Sequence, residues 1–331
     1  MIPDQWHPGS LLAVSGSYWH TCTLHTGVKL GIFTALGDNA LTGSELAEKL
    51  GTDGDGTARL LNALTAMALL EKKDGYYRNT PTSRTSLSKD SDQYIGYMIL
   101  HHHHLMESWN RLDEAVTTGR PIEEQLPISR EDRRENFLMG MFNTASLTAP
   151  DLARAFDLSS RRHLLDLGGG PGTYAIYFCR ENPQLKATVF DLPATRPFAE
   201  KTIARFDLAG RINFLPGDFT TETIPGRYDV VWLSHILHSE PPDVVISLIK
   251  KILDILEPGG ILLVHDFILD DTLDGPLFPA LFSLNMLVRT ESGRSYSEKQ
   301  ITDMLMAGGF KTVTRHPFRG PTESGVMIGT R

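Results

Sequence analysis

Cysteine is nearly absent: Cys22 and Cys179 are the two that the 331 residues contain. Far apart and each set in an apolar helical pattern, they exclude a disulfide framework and read as reduced packing residues of a cytoplasmic protein. Positive charge is also short, because 32 basic side chains stand against 40 acidic ones for a net charge of −8. That balance argues against a phosphate backbone or an anionic membrane as the main partner. No apolar run reaches transmembrane length, and the opening MIPDQWHPGS lacks the charged and apolar regions of an export signal. Internal repeats and low-complexity segments are missing too. What is present, a chain of 41% hydrophobic residues long enough for two cores, predicts a smaller and a larger domain.

The most informative segment is HLLDLGGGPGTYA, His163 to Ala175. A short apolar strand delivers Asp166 and then Gly168, Gly169, Gly170 and Gly172 to the start of a helix, so that a ligand can lie against bare backbone amides. A second strand, Ala187 to Phe190, ends in Asp191, roughly 20 residues past the turn, where an acidic side chain accepts from ribose hydroxyls in nucleotide-binding βαβ units. A P-loop would place a Lys-Ser/Thr pair after the glycines; here Pro171-Gly172-Thr173-Tyr174 follow, with no basic residue before Arg180. A ligand with a ribose and no phosphate at the turn fits, and S-adenosylmethionine (SAM) answers that description.

Around this turn the chain reads as two architectures. Leu11 to Leu36 has helical apolar spacing, Thr42 and Glu45 form a capping box, and Gly54 to Leu70 makes a second helix. A strand pair turns at Asp74-Gly75. That order is a winged helix-turn-helix. Between Leu41 and Thr80, however, five basic residues face six acidic ones, and the helix that would enter a groove offers only Arg59 beside Asp55. Nucleic acid is therefore not an expected partner. Residues 91–150 read as connecting helices, broken at Gly119-Arg120-Pro121 and by the polar stretch Pro127 to Glu135. From Leu152 onward strands and helices alternate as in a doubly wound α/β sheet, closing on a hairpin of Lys311 to Thr314 and Gly325 to Gly329.

Six motifs then agree in order and spacing: LLDLGGGPG, VFDLP (Val189 to Pro193), LPGDF (Leu215 to Phe219), YDVVWLSHILH (Tyr228 to His238), LEPGGILLVHD (Leu256 to Asp266) and NMLVRTESGRSYS (Asn285 to Ser297). From about Leu11 to its end the chain resembles the SAM-dependent small-molecule O-methyltransferases of the plant caffeate and hydroxyindole type and their bacterial relatives. The resemblance implies a Rossmann-like domain with a seven-stranded sheet, its last strand antiparallel. It also implies that the winged unit dimerises two chains and that S-adenosylhomocysteine is the product. The expected division is 1–90 for dimerisation, 91–150 for connecting helices beside the acceptor, and 151–331 for catalysis.

Individual residues follow from chemistry and resemblance together. A phenol of pKa about 10 is mostly protonated at neutral pH, so attack on a sulfonium methyl is helped by a base nearer 7, and histidine is the natural choice. His238 follows a buried strand, on the side where open α/β sheets bind ligands, and matches the family's catalytic histidine. Asp266 ends the neighbouring strand, where a carboxylate can fix the histidine's tautomer. Plant enzymes have Glu at this position, and their second assisting Glu is Ser295 here, with exposed Glu291 nearby. For the cofactor the expected residues are Asp166, Gly168, Gly169, Gly170, Asp191, Leu192, Asp218 for the adenine amino group, Phe219 over the adenine ring, and Ser234, which stands at the family's cofactor-proximal Lys.

The acceptor pocket is expected to draw on Met141, Trp109, His104, Asn285 and Met286, although Met141 also suits a core. Four consecutive histidines, His101 to His104, project about 100° apart on a helix, so the four cannot converge on one ion although His101 and His104 could share a face; packing and domain-interface roles are expected, and no metal site. The resulting expectation is a SAM-dependent methyltransferase acting on a hydroxyl of a small aromatic or polyketide-like molecule. Methylation of carbon, nitrogen or sulfur, a catalytically silent SAM-binding regulator, and a nicotinamide oxidoreductase are the competing readings.

Overall fold

A computed structural model describes residues 5–122 and 130–331, the side chain of Asp132 apart. The chain divides into two compact units, Met1–Leu105 and Met106–Arg331. In the first, the apolar stretch Leu11 to Leu36, expected as one helix, forms three: α1 (Pro8–Ser15), α2 (Tyr18–Lys29) and α3 (Ile32–Leu36). Glycine makes the breaks, since Gly16 caps α1 and Gly31 adopts φ 72°, a left-handed conformation in which a right-handed helix cannot continue. After β1 (Leu41–Thr42), α4 (Gly43–Leu50) opens on the expected capping box, with the Thr42 hydroxyl accepting from Glu45 N and the Glu45 carboxylate accepting from Thr42 N. Helix α5 (Gly54–Ala66) ends before the expected Leu70 because Ala68 turns to φ 57° and Leu70 starts β2 (Leu70–Lys73). The Asp74-Gly75 turn, both residues at positive φ, joins β2 to β3 (Tyr76–Asn79), and the small sheet runs β1-β3-β2.

Helices α6 (Pro81–Ser86) and α7 (Gly96–Trp109) follow. The compact unit runs on past residue 90 to 105, because Leu87 and Ile99 are buried in its core with Ile32, Phe33, Leu36, Leu61 and Leu64. Cys179 is buried as expected, but Cys22 is exposed, since α2 buries only the residues of its second half, His25, Gly27 and Val28.

The second unit begins with α8 (Leu112–Thr118), stopped by Gly119 at φ 67°, and the long α9 (Glu131–Ala155). Of the expected polar loop Pro127 to Glu135, the first part lies outside the described residues and Glu131 to Glu135 is already helical. Ala149, Leu152 and Ala153 of α9 are buried in the second unit's core, so the segment expected to connect two domains is instead divided between them.

The sheet is built from β4 (His163–Leu167), β5 (Lys186–Asp191), β6 (Ile212–Pro216), β7 (Tyr228–Ser234), β8 (Leu256–Leu269), β9 (Tyr296–Ser297), β10 (Thr312–Arg319) and β11 (Ser324–Thr330). Its main path runs β10-β11-β8-β7-β4-β5-β6, parallel from β8 to β6, with β11 antiparallel to both neighbours. This is the expected seven-stranded arrangement. The short β9, parallel to the end of β8, is an addition the residues did not announce.

Helix α10 (Thr173–Glu181) and α11 (Arg196–Arg205) pack with α9 on one face, while α12 (Pro242–Ile255) and α14 (Glu298–Ala307) pack on the other; α13 (Leu277–Arg289) follows β8. Two apolar faces explain why Val230, Val231, Trp232 and Leu233 form an unbroken hydrophobic run, each fully buried. All five parallel strands end at one edge, and the loops leaving that edge carry the site.

Candidate active site

The glycine turn leaves β4 with two left-handed residues that serve opposite purposes. At Gly168 (φ 67°) a Cβ would stand 2.4 Å from Ile236 Cδ1 and 3.4 Å from Phe219 Cε1, so the backbone is pressed against those side chains. At Gly170 (φ 53°) a Cβ would meet nothing within 4 Å, which leaves this peptide open to a ligand. Asp191, at the tip of β5, clamps the turn: its carboxylate accepts from Gly170 N at 2.7 Å, Leu192 N at 2.6 Å and Thr195 Oγ1 at 3.1 Å. Burial raises its pKa against the pull of those three donors. Turn, acid and open backbone fit a ribose-bearing cofactor.

Asp166 takes a different place from the one expected. It lies beneath the turn, 1% exposed, accepting from Ala175 N at the start of α10 at 3.1 Å. A Cβ on Gly169 would fall 2.6 Å from the Asp166 carboxyl carbon, so that glycine is required by close packing. Burial pushes the Asp166 pKa to about 7, with the Ala175 amide pulling the other way. Past β6, Asp218 accepts from Thr220 N at 2.9 Å and Thr220 Oγ1 at 2.5 Å. Burial would raise its pKa, but the Thr220 donors prevail and hold it below the usual value. Phe219 lies over Gly168, next to the turn. Ser234 bonds His265 Nδ1 at 2.9 Å, and His265 Nε2 bonds Ser324 Oγ at 2.9 Å. Ser234 thus shares its hydroxyl with a buried histidine, whose pKa burial and neighbouring His235 push well down.

The second half of the site grows from β7 and β8. A 3-10 turn, Leu237–Ser239, carries His238, and its Nδ1 lies 2.7 Å from Asp266 Oδ1. Asp266 is 3% exposed and also accepts from Phe267 N at 2.8 Å. Burial alone would raise its pKa, yet the His238 and His235 rings outweigh it and hold the carboxyl far below its usual range. A carboxylate only accepts, so His238 Nδ1 carries the proton and Nε2 is the basic nitrogen. The backbone of His238 is also fixed, its carbonyl accepting from Arg294 N at 2.8 Å.

Phe282 of α13 packs edge-on against the His238 ring at 4.8 Å, and Phe267 and Phe278 extend the aromatic surface. One turn after Phe282 comes Asn285, whose Oδ1 accepts from Trp109 Nε1 at 2.9 Å, and then buried Met286. Met141 is half-buried on α9. His104 belongs to the first unit, its ring 5.8 Å from that of His103. Ser295 donates to Pro279 O at 2.8 Å, so it does not replace the second plant Glu, and Glu291 is exposed.

Residues 109–311 match the family model of the O-methyltransferase domain. The chain belongs to the O-methyltransferase family. Residues 12–89 of this methyltransferase match the O-methyltransferase dimerisation domain. It is 35% identical over 338 residues to 3-hydroxy-5-methyl-1-naphthoate 3-O-methyltransferase of Streptomyces sahachiroi, covering 99% of this chain and 97% of that protein. To the N,N-dimethyltransferase OxyT of Streptomyces rimosus it is 32% identical, covering 90% of each. Human N-acetylserotonin methyltransferase in complex with SAM superposes with a TM-score of 0.86 at 26% identity, covering 100% of this chain and 99% of that one. SAM is the methyl donor of the methyltransferase. His235, which the motifs did not single out, also faces Asp266, its Nδ1 lying 3.5 Å from Oδ1.

Proposed function

We propose that the methyltransferase moves a methyl group from SAM to a hydroxyl of a small aromatic molecule, with His238 as general base and Asp266 as the group that orients it. One observation carries this reading: the 2.7 Å contact between His238 Nδ1 and Asp266 Oδ1, which directs the basic Nε2 away from the carboxylate. SAM supplies an electrophilic methyl on a sulfonium. Nε2 would take the hydroxyl proton while the acceptor oxygen bonds the methyl carbon and the methyl–sulfur bond breaks to release the thioether S-adenosylhomocysteine, and the carboxylate would offset the charge that the imidazole gains. Asp191 is the residue proposed for the ribose hydroxyls, Gly170 for close backbone approach and Phe219 for the adenine. Asp218, Leu192 and Ser234 remain proposed neighbours of the cofactor, and Asp166 would act on it through the turn. Phe282, Asn285, Met286, Trp109 and Met141 are the acceptor-side residues.

The match to a named N,N-dimethyltransferase and the diverted Ser295 favour a second reading, transfer to an amine nitrogen, in which His238 has a lesser role. Incubation with SAM and a panel of phenols, amines and thiols, with product masses measured, separates the two. A homodimer is proposed from the family's dimerisation domain. No described helix is long and apolar enough to cross a membrane, and the cytoplasm is the proposed location.

A further inference from the structure

His235 stands in the left-handed backbone conformation, at φ 56°, which among non-glycine residues asparagine, aspartate and histidine take most readily. Its amide donates to His265 O at 2.8 Å, and its ring lies 4.3 Å from that of Phe267. The effect is to aim Nδ1 at the active-site carboxylate, 3.5 Å from Asp266 Oδ1. The same oxygen receives His238 Nδ1 at 2.7 Å. One atom from each of the three residues falls within 4.8 Å of the others, and among the described residues no other His, Cys, Asp or Glu trio does this.

We propose that His235, His238 and Asp266 form a binding site for a divalent transition metal, zinc in particular. With metal–nitrogen bonds of about 2.0–2.1 Å, tetrahedral ligand atoms lie roughly 3.3 Å apart. The His235–Asp266 contact already has about that spacing, the His238–Asp266 contact reaches it by opening from 2.7 Å, and the two histidine nitrogens, within 4.8 Å of each other, close toward it as the metal binds. Two imidazoles and one carboxylate suit zinc or cobalt, whereas magnesium and calcium select all-oxygen sites. Three protein ligands leave a fourth position for water. Bound there, the metal replaces the proton shared by His238 Nδ1 and Asp266, takes up the carboxylate that would offset the imidazolium charge and draws electron density from the ring, so Nε2 loses basicity and zinc inhibits methyl transfer. That consequence rests on the general-base reading above; the binding does not.

The test is a titration of full-length protein, freed of metal with EDTA, by zinc and by cobalt, with magnesium as the control. The visible absorption of four-coordinate cobalt reports the site directly. Wild type should bind one cobalt that zinc displaces and magnesium does not. His235→Asn, which accepts the same backbone conformation without an imidazole, should weaken binding by about tenfold or more. His235→Asp, which restores a ligand, should recover most of it. Equal SAM affinity in all three proteins shows that each is folded. The proposal is overturned if no zinc binds, if magnesium competes, or if His235→Asn binds zinc as tightly as wild type, as it would were the metal held by the four consecutive histidines of the first unit. Zinc that binds in the expected pattern yet leaves turnover unchanged upholds the site and overturns His238 as the base.

Discussion

A proton shared between His238 and Asp266 defines what each side chain of the pair should contribute. Removal of the base in His238→Ala should lower turnover about 100- to 10,000-fold while SAM affinity stays nearly constant, since the ring acts on the acceptor's proton. Asp266→Asn should cost less, because an amide oxygen can still accept from Nδ1 while the charge is lost. Isothermal titration with SAM beside single-turnover rates distinguishes these effects, and wild-type turnover in His238→Ala would remove the base from the mechanism. On the cofactor side, Asp191→Ala should weaken SAM by about 2–3 kcal/mol through loss of a charged acceptor. That change also frees the Gly170 amide that Asp191 now holds at 2.7 Å, so a calorimetric Kd matching wild type would exclude Asp191 from the site.

The residues of this pair were legible because each follows an apolar strand by a fixed interval, and strand ends in a parallel sheet share an edge. Ser295 was legible only as a departure; that its hydroxyl turns to Pro279 O depends on how α13 packs. His235 and His265 were missed. Their significance comes from a backbone angle and from cross-strand neighbours, Ser234 and Ser324, that lie far off in the chain.

Elements were legible where local chemistry decides them and illegible where a single backbone angle does. The capping box at Thr42 and Glu45, the Asp74-Gly75 hairpin and the alternating strands and helices after Leu152 all read through. The splitting of Leu11 to Leu36 did not, because an apolar stripe continues through Gly31 while the helix does not. Nor did the boundary at 105, since α7 has apolar residues on every side and its pattern gives no sign of which core Ile99 joins.

The β4–turn–α10 element also has a pH signature. Asp166 has a pKa near 7 in the folded chain, pushed up by burial, against an ordinary value of 3.8. A group whose folded pKa is raised contributes stability that is fully present below the unfolded value and is lost as pH rises through the folded one. Asp166→Asn, which keeps an acceptor for Ala175 N, should therefore gain melting temperature relative to wild type between about pH 4 and 7 and hold that gain above it. A difference in melting temperature that stays flat across this window would mean that the carboxyl is ionised in the folded state.

At the scale of the whole molecule, the feature that asks for a partner is the surface of α1 and α2. Leu12, Tyr18 and Trp19 are 75%, 56% and 68% exposed, and Trp6, Leu11 and Val14 are exposed nearby. Scattered apolar residues need no explanation, but this many along two successive helices make a patch of the kind that marks an interaction surface. The segment from residue 12 onward lies within the match to the family's dimerisation domain, which names a second copy of the chain as the occupant. Sedimentation of the wild type should accordingly give a dimer, and Leu12→Asp with Trp19→Asp should shift it to monomer by placing two charges in a surface that would otherwise exclude water. Neither side chain belongs to the buried core of the first unit, so circular dichroism and melting of that unit should change little. A doubly substituted chain that still sediments as a dimer would place the interface elsewhere, and one that is monomeric yet fully active would separate dimerisation from catalysis.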